Sequence, residues 1–196
     1  MIVAIQRKSS YVYTGKEEGM ILYILRHAIA AERGTGGFAD PDRPLTEEGI
    51  DKMEAAAGSF PLLIGEVGLI ASSPYRRARE TAMIAARHLK ATKKVRIVDI
   101  LASGSTMNDL FTFLNESKKH DSVLMVGHEP DLSILASTLI GVERSAIELK
   151  KGSLCALLLN GPIAAGCGTL LFLLQPKQLR ALRIEEKVSR QHRKKK

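Results

Sequence analysis

Hydrophobic positions along the chain fall into two periods. Six short, nearly unbroken apolar runs read as strands: 20–25 (MILYIL), 67–72 (VGLIAS), 95–98 (VRIV), 122–127 (SVLMVG), 153–159 (SLCALLL) and 169–174 (TLLFLL). Apolar side chains without alternation are what a strand covered on both faces requires. Between and after the first four lie stretches with apolar residues at helical spacing: 45–60 (LTEEGIDKMEAAAGSF), 75–89 (YRRARETAMIAARHL), 106–117 (TMNDLFTFLNES) and 131–140 (DLSILASTLI). The alternation predicts a single-domain α/β fold, a three-layer sandwich with a mostly parallel sheet of about six strands and helices on both faces. The last two runs, joined by the Gly- and Pro-containing NGPIAAGCG, predict a hairpin at or near one edge.

Three of the strands end on charged motifs. MILYIL runs into Arg26 and His27, VGLIA into SSPYRRARETA with Arg77, and SVLMV into GHEP with His128. In open α/β sheets the crevice beyond the carboxyl ends of the strands is where ligands bind, so the three motifs are expected to meet there. Two histidines and two arginines in one crevice suit a phosphoryl group, because the planar arginine fork pairs with phosphate oxygens and stays charged at any working pH. Neutral imidazole can attack phosphorus directly, and with no activated thiol or serine elbow in the pattern, histidine is the best nucleophile available. Ser73 is expected to cap the 75–89 helix with Pro74 at its first position, which puts Arg77 in the first turn and Ala78, Ala82, Ala85 and Leu89 on the face against the sheet.

Composition narrows the classes. With 196 residues and 21.4 kDa the chain suits one domain with a full core, since about 150 residues already bury about 70% of the unfolded surface. No apolar run approaches the roughly 20 residues of a membrane helix, so no membrane partner is expected. The net charge of +8 is concentrated at the ends: residues 180–196 hold eight Lys or Arg against two Glu, a net +6, and residues 1–19 carry +1, leaving +1 for the body. A nearly neutral domain with a basic tail lacks the broad basic face of a nucleic-acid reader. Cys155 and Cys167 share no metal-ligand or disulfide spacing and read as small buried hydrophobes, and no metal is called for. No secretory signal precedes the first strand, which makes the cytoplasm the expected compartment. Residues 1–19 have no partner pattern and are expected to be a disordered or untranslated extension, with translation starting at Met20, a domain over 20–179 and a basic tail over 180–196.

The motifs LRHA, SSPYRRARET and VGHEP, in that order, resemble the histidine phosphatase (phosphoglycerate mutase-like) superfamily. DPDRPLTEEG and the short chain resemble its SixA-type phosphohistidine phosphatase branch, from Met20 to about Leu179. The resemblance implies His27 as the nucleophile that becomes phosphorylated, Arg26 beside it, Arg77 as the arginine of Ser-Pro-x-x-Arg-Ala-x-x-Thr, and His128 as the second histidine at the transferred phosphoryl group. Arg76 and Arg79 fall outside that pattern, and Ala28 stands where many members have glycine. The implied activity is cofactor-free dephosphorylation of protein phosphohistidine. Small-molecule phosphomonoester hydrolysis is the alternative, and non-catalytic binding of phosphate or polyphosphate a further one. Larger members carry an acid-bearing insertion after the third strand that VRIVDILASGSTMNDL lacks, so an open site for a bulky substrate is expected, with Glu129 and Asp99 the candidates for a general acid. Asp40, Asp42 and Arg43 read either as lining the entrance to the crevice or as a loop salt bridge ahead of a helix capped near Thr46, and His88, His120 and His192 as structural residues. The pattern leaves the oligomeric state open.

Overall fold

The computed structural model describes residues 19–182. The expected extension over 1–19 and tail over 180–196 therefore lie outside the described residues, apart from Gly19 and 180–182. The six strands are β1 (Met20–Arg26), β2 (Leu69–Ser72), β3 (Val95–Ile97), β4 (Ser122–Gly127), β5 (Leu154–Leu159) and β6 (Gly168–Leu174). They form one sheet in the order β3-β2-β4-β1-β5-β6. β1, β2, β3 and β4 pair in parallel, whereas β5 runs antiparallel to β1 and to β6, so the last two strands are the expected hairpin and β6 is an edge.

Because successive strand residues face opposite sides, β1 divides its side chains between two cores. Ile21, Tyr23 and Leu25 pack beneath α1 (Glu47–Ala57), α2 (Phe60–Leu63) and α3 (Arg76–His88), with Met53, Phe60, Ala82 and Ala85. Leu22 and Ile24 face α4 (Met107–Ser117) and α5 (Asp131–Leu139), with Leu114, Leu135 and Leu139. These are the expected three layers.

Three local details differ from expectation. The 45–60 helix ends at Ala57, where Gly58 forms its C-cap, and the chain resumes as α2 with Pro61 in its first turn. Thr46 does cap α1, accepting the Gly49 N–H at 3.0 Å. Ser73 does not cap α3: its N–H still bonds Val126 O at 2.9 Å, which holds Ser73 in the sheet, and Tyr75 takes the N-cap position. Ala78, Ala82 and Ala85 are buried as the helical spacing implies. Cys155 is a free, buried thiol that burial pushes up to about 12, which makes it an inert core residue, while Cys167 is half-buried.

Candidate active site

Strand register brings the two histidines together. Arg26 pairs with Gly127 at the carboxyl ends of the parallel strands β1 and β4, so the next residue on each strand, His27 and His128, emerges at the same height. The His27 N–H bonds Gly127 O at 3.1 Å, and the ring centroids lie 5.1 Å apart. Arg77, in the first turn of α3, is 3% exposed and its guanidinium lies over the Tyr75 ring, which in turn stacks near His128 at 4.9 Å. All four sequence-derived residues, Arg26, His27, Arg77 and His128, thus border one crevice.

The tautomer of His27 follows from its partner. Its Nδ1 faces the Ala28 carbonyl oxygen at 2.7 Å, and since a carbonyl only accepts, Nδ1 carries the proton and Nε2 keeps the lone pair. Burial, reinforced by the positive charges of Arg77 and Arg26, lowers the His27 pKa to about 3, against which the carbonyl bond works only in part. The ring is therefore neutral and unprotonated at Nε2 near pH 7. The turn that aims it is fixed from α3: Ala28 N–H donates to Thr81 Oγ1 at 3.0 Å, and the Thr81 hydroxyl donates to Arg77 O at 2.7 Å.

His128 is held through Ser73. Ser73 Oγ lies 2.8 Å from His128 Nε2 and accepts the Tyr75 N–H at 3.2 Å; with a hydrogen and a second lone pair of its own, the hydroxyl pairs with either tautomer of the ring. Burial, then the charge of Arg77, lowers this pKa to about 4.

Among the described residues, four buried side-chain polar atoms lack a hydrogen-bond partner: Arg26 Nε, Arg77 Nε, His128 Nδ1 and Glu129 Oε1. Three of the four are guanidinium or ring nitrogens of the crevice. Buried donors left unpaired cost free energy, and in a native structure they mark where a ligand's acceptors belong. Their concentration beside a neutral imidazole lone pair is chemically suited to the oxygens of an anion.

Residues outside the sequence-derived set also enter. Asp40 accepts from Arg77 Nη1 through its backbone oxygen at 2.7 Å, and its carboxylate lies 3.3 Å from Arg77 Nη2. Arg43 and Arg33 hold the same carboxylate, at 2.7 and 3.1 Å. Burial pushes the Asp40 pKa up, but the hydrogen bonds from Arg33 and Arg43 and the charge of Arg77 outweigh it and hold the carboxyl below its ordinary range. The expected loop salt bridge is real, yet it reaches across to the crevice, a contact between residues 37 positions apart that no local pattern signals. Ser73, Tyr75 and Thr81 belong to the crevice as well; their signal is the SSPYRRARET motif itself. Asp99 is exposed, whereas Glu129 is half-buried with one oxygen bonded to the Ser133 hydroxyl and the other unpartnered. His88 is tied to Glu54 at 2.7 Å on the far end of α3, a structural role.

Similarity to known proteins identifies the family and the fold. Residues 22–102 match the family model of the histidine phosphatase superfamily (branch 1). An uncharacterized protein of Picosynechococcus sp. is 32% identical over 141 residues, which span 70% of this chain and 84% of that protein. The fold is similar to that of the protein histidine phosphatase SixA complexed with tungstate, with a TM-score of 0.72 at 22% identity over 82% of this chain and 99% of that one. It is also similar to a mutant phosphoserine phosphatase from Entamoeba histolytica in complex with phosphoserine, with a TM-score of 0.61 at 15% identity over 82% and 99% of the two chains. With its crevice at the ends of β1 and β4, its sheet order and these matches taken together, the chain belongs to the histidine phosphatase superfamily.

Proposed function

We propose that this superfamily hydrolase removes phosphate from protein phosphohistidine through a phosphohistidine intermediate on its own His27. The observation that carries the proposal is the set of unpartnered nitrogens on Arg26, Arg77 and His128 beside the neutral His27 ring. His27 Nε2 attacks phosphorus, the N–P bond forms, and the bond from phosphorus to the substrate's imidazole nitrogen breaks with its electron pair staying on that nitrogen; the substrate ring carries a proton on its other nitrogen and so leaves as neutral imidazole. Arg26, Arg77 and His128 meet the phosphoryl oxygens where negative charge gathers in the transition state. Water then attacks the phosphohistidine on His27; its oxygen bonds to phosphorus, the N–P bond breaks with the electron pair returning to Nε2, and inorganic phosphate leaves. No cofactor enters either step. The likeness to SixA, a protein histidine phosphatase seen with an oxyanion, supports the substrate class at the level of fold.

A second reading, phosphomonoester hydrolysis, assigns Glu129, the half-buried neighbour of His128 with one oxygen unpartnered, as the acid that an alkoxide leaving group needs. The deciding test is brief exposure to a labelled phosphohistidine peptide. Label is expected on His27, stable in base and lost in acid, with His27→Ala abolishing both label and turnover. Label retained in that variant overturns the assignment, and turnover confined to alkyl phosphates moves the activity to the second reading.

A further inference from the structure

A cleft of about 770 Å³ lies beside the crevice, between α1, the 150–152 turn and the helical residues 176–182. Its floor is apolar, with Met53, Ala56, Ile29 and Pro176, and its rim carries Lys52, Lys150, Lys151, Lys177 and Arg180. No Asp or Glu is among the described residues that line it, although Lys52 is paired from outside with Glu48. The cleft joins the crevice at Arg26, which lines both, and at Gly152, whose N–H bonds the backbone oxygens of Arg26 and His27 at 3.1 and 3.2 Å.

We infer that this cleft docks an acidic amphipathic helix of the phosphoprotein substrate; the inference rests on the proposed function and names the surface its substrate presents. A small anion would be gripped by convergent, buried polar groups. Here the four lysines are exposed and spread over three segments of chain, and of the buried unpartnered nitrogens only Arg26 Nε belongs to a residue that borders the cleft, at its junction with the crevice. An apolar floor under a cationic rim instead matches a helix that lays apolar residues into a groove and acidic ones against its edges. Any protein that delivers a phosphohistidine to His27 covers the adjoining surface at Arg26 and Gly152. Complementary charge there would act mainly on the rate of encounter and weaken with salt.

Two measurements test the inference separately from the activity. In the first, fluorescence anisotropy follows binding of an unphosphorylated Glu/Leu amphipathic helical peptide to the full chain. Wild type is expected to bind at least tenfold more tightly than the Lys151→Glu/Lys177→Glu variant. Equal binding by the two proteins, or equally tight binding of a single-stranded oligonucleotide of the same charge, overturns the acidic-helix assignment. In the second, kcat/KM is compared for phosphohistidine peptides fused to the same helix in its Glu form and in a Gln form. The Glu form is expected to be preferred about tenfold by wild type and not by the variant, with hydrolysis of an aryl phosphate unchanged in both. Equal rates on the two peptides in wild type overturn the docking role while leaving the phosphohistidine activity standing. Peptide binding without hydrolysis of any phosphohistidine peptide overturns the proposed function and, with it, the substrate role of the cleft.

Discussion

The crevice and the cleft are both cationic, adjoin at Arg26, and differ in nearly every other respect. In the crevice Arg77 is 3% exposed and its guanidinium is held by Asp40 and by the Tyr75 ring. In the cleft the lysines reach into solvent over an apolar floor. Desolvation separates the two: the same positive charge is worth far more where water is excluded, because nothing else can answer a developing negative charge. Exposed lysines steer and dock; buried, preorganised donors can act on a transition state.

The largest effect that would sharpen this contrast concerns the leaving group. Imidazole, with a reference pKa of about 6.5, leaves as a neutral ring with little help, whereas an alkoxide needs a positioned acid. Second-order rate constants are expected to rank phosphohistidine peptide above an aryl phosphate, and both above 3-phosphoglycerate, with about 10²- to 10⁴-fold between first and last. Glu129→Gln should leave the phosphohistidine rate unchanged and slow only the alkyl esters. Comparable constants for phosphohistidine and alkyl esters would refute the ranking.

Next in size are the arginines, which test burial within a single helix. Arg77→Ala is expected to cost about 2.7–4 kcal/mol of transition-state stabilisation, the range for removal of one preorganised donor. Arg79, two residues on and so about half a turn round the helix, is exposed and should tolerate alanine within about 0.5 kcal/mol. Equal impairment of the two variants in steady-state kinetics would break the contrast.

A third contrast separates the buried histidines from exposed ones, and it is read in stability against pH and not in turnover. His27 and His128 have folded pKa values depressed to about 3 and about 4, so the unfolded chain takes up protons below about pH 6.5 that the folded chain refuses. Stability is then fully present above pH 6.5 and is lost as pH falls toward 4, each unit of depression being worth about 1.4 kcal/mol. Denaturant midpoints should fall over that window, and His128→Asn should flatten the slope. An unchanged slope in that variant would mean His128 is not held neutral by the fold. The smallest expected effect is none: saturating chelator should leave turnover unchanged, and a loss restored by divalent ions would place the chemistry on a metal.

Legibility followed the range of the interactions. The strands were readable because a two-sided burial pattern is written in consecutive residues, as in MILYIL and SVLMVG, and α1 because Thr46 and the helical spacing are local. Arg26, His27, Arg77 and His128 were readable as strand-end and helix-start charges in a recurring order, which is also local information. Ser73 misled the local rule, since its sheet hydrogen bond to Val126 outlasts the helix-start signal of Ser-Pro and frees its hydroxyl for His128.

What the sequence by itself determined, then, was the α/β class, the edge hairpin and the placement of Arg26, His27, Arg77 and His128 at strand and helix ends, because periodicity and motif are properties of neighbours along the chain. Only the tertiary structure decided which imidazole nitrogen of His27 is free, that Asp40 reaches Arg77, and that an apolar, lysine-rimmed cleft borders Arg26. Each of these depends on the register of β1 against β4, or on segments far apart in sequence closing on one another. Side-chain hydrogen bonds and burial exist only once those distances are fixed.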